Sequence, residues 1–407
     1  MALPVSIVVV SRHRPAALMR CLTGISQLDY PGFEVIVVAC PAGLAALAQR
    51  ADADLIKQVP YDEPNISAAR NLGISRAAGE IVAFIDDDAV PEPLWLTHLA
   101  APFDSAEVAA AGGFVIGRNG ITFQWTARTV DATGQATPLD VSDTQPTVLH
   151  PTPDRAIKTE GTNMALRRDV LARMGGFDPA FRFYLDETDL NLRLARRGLA
   201  TAIVPLAQVH HGFAESARRA PDRTPRDLTE IGASQQAFLR KHCPKEARAT
   251  AWDRFVGDQR ARLLGYMQRG PLDPLDVRRL MRGLRRGGRE GAERILDRCP
   301  EIPRAAQGFL PYPGRPGAPR IRLSGRIWQA ASLRRTAAAK AAEGAIVSLY
   351  IMSPGSRYHR VAFTESGVWE QTGGLFGRSL RKGRIWQAWN FQRRVDSEVL
   401  RTQNVRG

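Results

Sequence analysis

Short apolar runs alternate with helix-like stretches over the first 215 or so residues, the pattern of strands joined by helical crossovers. Val5–Val10 is an unbroken run rich in β-branched residues, and such runs belong to strands covered on both faces. Pro15–Leu22 follows as a helix with proline in its opening position. Phe33–Ala39 is a second buried strand. Ser67–Ala78 has helical spacing with Ser67 placed to cap it, and Gly79 ends it. Ile81–Ile85 is a third apolar strand that runs directly into Asp86-Asp87-Asp88, and Pro91–Ala101 reads as the next helix. From Asn119 to Pro153 the chain is polar and without a period, which predicts a long loop or irregular strands inside the domain. Order returns over Lys158–Arg167, then in helices at Arg168–Met174 and Thr188–Arg197, closed by Gly175-Gly176 and Gly198. Thr201–Pro205 is a short strand.

Residues 216–300 read as a basic helical extension, with Val277–Arg286 its clearest helix. Residues 301–324, rich in Pro, Gly and Arg, read as a linker or extended wrap. Residues 325–407 predict a small α+β accessory domain: a helix-like stretch, strands at Ala345–Ile351 and near His359–Thr364, and a closing helix. The hexapeptide Gly-Arg-Ile-Trp-Gln-Ala occurs at Gly325–Ala330 and again at Gly383–Ala388, which predicts two equivalent helices, each docking a tryptophan. The chain start lacks a basic segment and a small-residue cleavage site, so it reads as a first strand rather than a signal peptide. No stretch reaches the ~18 apolar residues a membrane span needs, which predicts a cytoplasmic protein. Cys21, Cys40, Cys243 and Cys299 show neither paired nor metal-ligand spacing and predict reduced, mostly buried thiols.

Charge divides the chain. The first 220 residues hold 20 Lys and Arg against 24 Asp and Glu, and the rest hold 36 against 17, so the net +15 comes wholly from the second half. That asymmetry predicts an anionic partner: membrane headgroups, with the protein peripheral on the inner membrane face, an acidic glycan or nucleic acid. Nucleic acid ranks last, because the segment lacks interleaved aromatic and basic residues.

The strongest chemical signal is a buried strand ending in three aspartates. It places carboxylates at the C-terminal edge of a sheet, where open α/β folds bind ligands. Clustered carboxylates repel unless a cation offsets them, and hard oxygen ligands suit Mg²⁺ or Mn²⁺ together with substrate phosphates. Around this run stand Asn65–Gly73 with Arg70 and Asn71, then Gly161-Thr162-Asn163, Gly175-Gly176-Phe177-Asp178, Leu185–Leu190 and His210-His211. In order and spacing this set resembles family 2 glycosyltransferases of the GT-A fold, an α/β Rossmann-like, mostly parallel sheet, over roughly residues 3–215. The resemblance implies a metal-dependent, inverting transfer of a sugar from a nucleotide-sugar donor to an acceptor hydroxyl. It places that transfer in cell-surface polysaccharide or glycolipid synthesis, on a glycan, lipid-linked or other acceptor. It assigns Asp86 and Asp88 to the D-x-D metal site, with His210 or His211 nearby. It makes Glu187, second of the acidic pair, the general base, with Asp186 also a candidate because the usual Glu-Asp order is reversed. It puts Ser11, Arg14, Arg70, Asn71 and Asp87 on the donor side. Gly161, Thr162, Asn163 and Asp189 fall on the acceptor side, Asp189 alternatively as a helix cap.

Two departures stand out. Where relatives end the second strand with an acidic pair that reads the nucleotide base, this chain has Val38-Ala39-Cys40-Pro41, leaving Asp62 or Asp52 as substitutes. The usual Thr-x-Asn-Arg becomes Ser11-Arg12-His13-Arg14. A nucleotidyltransferase would favour a glycine-rich basic loop after the first strand, which SRHRP is not. A degenerate sugar-nucleotide fold acting as a scaffold without catalysis would account for Ala39-Cys40 but not for the retained Asp86, Asp88 and Glu187.

Overall fold

The computed structural model describes every residue except Met1, Phe213, Ala214, Ser216, Ile385 and Trp386. Its first unit is a ten-stranded sheet in the order β10-β13-β6-β12-β4-β1-β2-β3, with β5 and β7 paired at its margin. The apolar runs form its centre: β1 (Val5–Ser11), β2 (Phe33–Ala39), β3 (Ile56–Pro60) and β4 (Ile81–Asp86) pair parallel. Between them lie α1 (Pro15–Ile25), α2 (Pro41–Leu47) and α3 (Ile66–Arg76), the last capped by Asn65, whose side chain accepts from the Ala68 amide, rather than by Ser67. The alternate faces of β1 and β2 feed two separate apolar layers. Ile7 and Val37 pack on the side of Leu18, Leu22 and Trp95, while Val8 and Ile36 pack on the side of Ile74 and Phe177. Each such side chain removed from water contributes about 1.5–3 kcal/mol.

After β5 (Ala89–Pro91) and α4 (Trp95–Ala100) the chain forms β6 (Val108–Ile116). The helix expected from Pro91 starts only at Trp95, because Ala89–Pro91 is taken up as a strand against Val209–His211. The polar segment 119–153 holds the short strands β7 (Phe123–Trp125), β8 (Arg128–Asp131), β9 (Ala136–Pro138) and β10 (Thr147–Leu149), and β8 and β9 form a separate small sheet with β11 (Arg155–Lys158). Next come β12 (Met164–Arg167), α5 (Arg168–Arg173), α6 (Asp186–Ala195) and β13 (Ala200–His211), longer than the short strand the sequence predicts. β12 runs against both β4 and β6, and β13 runs parallel to β6. Ser11, Asp86 and His211 therefore end their strands at one edge, where Gly161–Asn163 enter β12.

The second half folds onto this unit. The strands give way to α7 (Thr229–His242), α8 (Arg248–Gln268) and α9 (Pro274–Glu293). Phe238 of α7 packs with Phe181, Leu185 and Leu192, so apolar contacts cross the boundary expected near residue 215. α9 crosses α7 closely: a Cβ at Gly287 would lie 1.8 Å from the Thr229 carbonyl oxygen, and one at Gly291 2.1 Å from that of Ala233. Residues 301–319 run as an extended strap, and Tyr312 bridges to Phe33. The last unit is a four-stranded sheet of β14 (Arg320–Arg326), β15 (Ile346–Ser353), β16 (Arg360–Phe363) and β17 (Val368–Gly374), with α10 (Ala330–Ala342) and α11 (Phe391–Arg406). The two hexapeptide copies are not equivalent. Trp328 is 71% exposed and docks nowhere. Gly383 and Arg384 lie in a turn region and Gln387-Ala388 are not helical, while Ile385 and Trp386 lie outside the described residues.

Candidate active site

Cα-to-Cα order along the sheet edge brings the acidic run and the C-terminal end of β13 together. Asp86, Asp88 and His211 converge so that one ligand atom from each lies within 4.8 Å of the others. His211 Nε2 stands 3.3 Å from an Asp88 oxygen, and its ring lies 5.7 Å from that of Trp125. Two carboxylates and one imidazole are a donor set that Mg²⁺ or Mn²⁺ accepts, so these residues fit such an ion. His210 points elsewhere: Nε2 meets Glu92 at 2.7 Å, the ring packs at 4.9 Å from Trp369, and burial lowers its pKa. Glu92 is held in turn by Arg406 at 2.7 Å, so the penultimate residue of the chain anchors this corner. The doublet thus splits. His211→Ala is expected to weaken metal-dependent ligand binding with little change in melting temperature. His210→Ala is expected to lower the melting temperature, because Glu92 loses a partner, while metal binding persists. Thermal melts with and without Mn²⁺ read both.

The middle aspartate has another task. Asp87 is fully buried, accepts from Ser11 Oγ at 2.8 Å and pairs with Arg14. Burial pushes its carboxyl up to about 7 against the pull of Arg14. It does not line the cleft; it orients Arg14, whose guanidinium also reaches Asp88 at 3.4 Å.

The acidic pair opens α6. Leu185 just before it adopts φ +65°, a left-handed conformation that costs a non-glycine residue about 1 kcal/mol or more and recurs at functional sites. Asp186 turns inward to Arg70, which also donates to Asp86 at 3.2 Å and to the Gly161 carbonyl at 2.9 Å. Burial raises the Asp186 carboxyl, and Arg70 opposes it. Arg70 is 4% exposed and tied on three sides, and it joins Asp86 to the acidic pair at the cleft wall. Glu187 is the more open of the two acids. Burial alone would raise its pKa, but Lys158 Nζ at 2.9 Å outweighs burial and holds it well below the usual carboxylate range.

Several expected ligand-binding residues lie behind the wall instead. Asn163 is fully buried: its amide donates to the Phe114 and Ala207 carbonyls and accepts from Trp95 Nε1, locking β6, β12 and β13 together. Asn71 pins the Gly176-Phe177 turn through both backbone groups of Phe177. Asp189 does not cap α6 and does not line the cleft. It is fully buried among Arg193, Lys241 and His242, where it fastens α7 to α6. Gly161 and Thr162 do line the cleft, and Thr162 Oγ1 is buried with no partner among the described residues. Asp52 pairs with Arg50 and Tyr312 and does not line the cleft, while Asp62 sits at the rim with Arg12 and His13. A ring nitrogen of His13, Cys40 Sγ and an Asp62 oxygen also cluster within 4.8 Å, a grouping that cysteine spacing does not reveal.

The cleft holds about 1040 Å³ and takes in Arg14, Arg70, Asp86, Asp88, Asp186, Glu187 and His211 together. Lys158, Arg128 and Glu160 also line it, paired with one another and with Glu187. The sequence singled out none of the three: Arg128 lies in the polar stretch 119–153, whereas Lys158 and Glu160 open the ordered run Lys158–Arg167 without any motif to mark them.

A mixed sheet with one antiparallel strand beside β4, and carboxylates and an imidazole at its C-terminal edge, defines a GT-A domain. The chain belongs to the glycosyltransferase-like family 2, whose model matches residues 3–227. It is 31% identical over 242 residues to the O-antigen biosynthesis protein RfbC of Myxococcus xanthus, covering 54% of this chain and 18% of that protein. It is 29% identical over 127 residues to a glucosyl-dolichyl phosphate glucuronosyltransferase of Haloferax volcanii, covering 31% of this chain and 38% of the relative. The chain thus spans less than half the length of either. Among solved structures, the mannosyltransferase of Pyrobaculum calidifontis with GDP-Man and Mn²⁺ aligns at 15% identity and a TM-score of 0.44. That alignment covers 72% of this chain and 88% of the other, a likeness too loose to argue substrate or metal. Among the described residues, no helix is long and apolar enough to cross a membrane.

Proposed function

We propose that this protein transfers a sugar from a nucleotide-diphosphate donor to an acceptor hydroxyl, with inversion, and that Asp86, Asp88 and His211 hold the Mg²⁺ or Mn²⁺ involved. The observation that carries the reading is the meeting, in one cleft, of this three-ligand cluster with the acidic pair Asp186-Glu187. A bound divalent ion supplies Lewis-acid stabilisation of the charge developing on the departing diphosphate. Arg14, oriented by Asp87, faces the same charge from the strand end. Glu187 takes the proton from the acceptor oxygen as that oxygen bonds to the anomeric carbon, on the face opposite the leaving diphosphate. Lys158 keeps Glu187 ionised, the form that can take up a proton, while lowering its basicity. Arg70 fixes the spacing of the two acidic groups by holding Asp86 and Asp186 at once. The retained base weighs against a scaffold without catalysis. The name of the Myxococcus relative supports a place in cell-surface polysaccharide or glycolipid synthesis.

The test is a panel of sugar nucleotides with and without Mn²⁺. A ligand at ~100 times its Kd stabilises the native state by about 2.7 kcal/mol, or roughly 5–10 °C for a domain this size. One or more donors are expected to raise the melting temperature by that order only with metal present, and to be slowly hydrolysed. If the whole panel leaves melting unchanged and no donor is hydrolysed, the proposal fails.

A further inference from the structure

The arginines of α9 form a second concavity. A groove of about 650 Å³ is walled by Arg279, Arg282, Arg285, Arg286 and Arg289, with Asp227 its one acid, and Arg226 lines both this groove and the catalytic cleft. Arg226 thus stands in the wall of both sites. Arg279 donates to the Arg226 carbonyl at 3.0 Å and Arg286 to Thr229 Oγ1 at 3.0 Å, while Asp227 is engaged by the Thr229 amide and hydroxyl. Arg282, Arg285 and Arg289 are exposed and have no carboxylate partner among the described residues. The helix is held rigidly behind them, its Gly287 and Gly291 pressed against the α7 backbone. A row of guanidinium forks on a fixed helix matches successive carboxylate, phosphate or sulfate groups.

We infer that this groove binds an anionic acceptor glycan and leads its growing end to Glu187. The inference rests on the glycosyltransferase reading and adds the charge class of the acceptor. A bilayer is the poorer fit. An interfacial helix presents apolar side chains to lipid, whereas Val277, Leu280 and Leu284 are spent on packing inside the protein. Leu275 is the one large apolar side chain that α9 exposes. A concave groove that shares Arg226 with the cleft wall also suits a chain better than a plane.

The experiment uses a heparin-derived tetrasaccharide as an anionic glycan probe, the full chain, and two triple variants. One is Arg282→Glu/Arg285→Glu/Arg289→Glu. The other, Arg357→Glu/Arg381→Glu/Lys382→Glu, reverses three exposed charges of the distal domain. The first variant is expected to lose about tenfold or more in affinity at low salt, with the difference shrinking as salt rises. The second is expected to stay within about twofold, and stabilisation of both by sugar nucleotide with Mn²⁺ should match wild type. Equal losses in the two variants would show diffuse charge attraction and overturn the inference, as would unchanged binding in the first. Vesicles of phosphatidylglycerol and phosphatidylcholine in equal parts form the last arm. If they bind and the groove variant abolishes that binding while sparing the tetrasaccharide, the surface is a membrane contact instead. Binding is read without turnover, so an absence of sugar transfer would count against the proposed reaction alone.

Discussion

Glu187→Gln is expected to lower the transfer rate by about 100- to 10,000-fold, the range that a positioned general base contributes. Donor and metal binding should change by less than about threefold. The substitution keeps shape and leaves an oxygen for Lys158, so the loss would come from the missing proton acceptor. Asp186→Asn gives the contrasting result. Asp186 is nearly closed off and bound to Arg70, so its replacement should lower thermal stability more than Glu187→Gln does, by leaving a buried guanidinium short of a partner. Measuring kcat, donor Kd and melting temperature for both variants separates the roles. Near-normal kcat in Glu187→Gln with a collapsed kcat in Asp186→Asn would transfer the base to Asp186.

Asp88→Ala is expected to weaken Mn²⁺ binding by about 100-fold or more, since even outer-shell partners of a ligand set cost 10–100-fold. Transfer should fall with it and recover only partly at high metal. Asp88 touches His211, Arg14 and Arg219, so its loss leaves three cationic or basic groups facing the cleft. Arg14 remains paired with Asp87, which should keep the fold intact. Asp87→Ala offers the comparison. It removes the buried partner of Ser11 and Arg14, and its cost should appear first in stability. If Asp88→Ala binds Mn²⁺ like wild type in isothermal titration, the metal site is misplaced.

Both predictions concern residues named from the order of motifs, but the structure sorted that set into two layers. Asp86, Asp88, His211, Arg14 and Glu187 face the cleft. Asn71, Asn163, Asp189 and Asp87 stand behind it and hold the strand ends, turns and helix that carry the first group. A motif reports that a polar residue belongs at a position; it does not report which way the side chain turns. Asn163 shows why. In the turn that leads into β12, one position separates an amide that locks three strands from Thr162, which lines the cleft.

The sequence by itself determined the central parallel strands, because continuous β-branched runs can only be covered on both faces, and it determined where the acidic run would emerge. It also located the excess positive charge in the second half. Only the tertiary structure decided which histidine joins the aspartates, since adjacent residues of β13 point to opposite sides and the neighbours across the sheet choose between them. Lys158 came into view only when β11 crossed over α6, and Arg406 only when the end of the chain returned to Glu92. The arginine groove likewise needed α9 folded back against Arg226, because charge can be counted along a chain whereas concavity is made by packing.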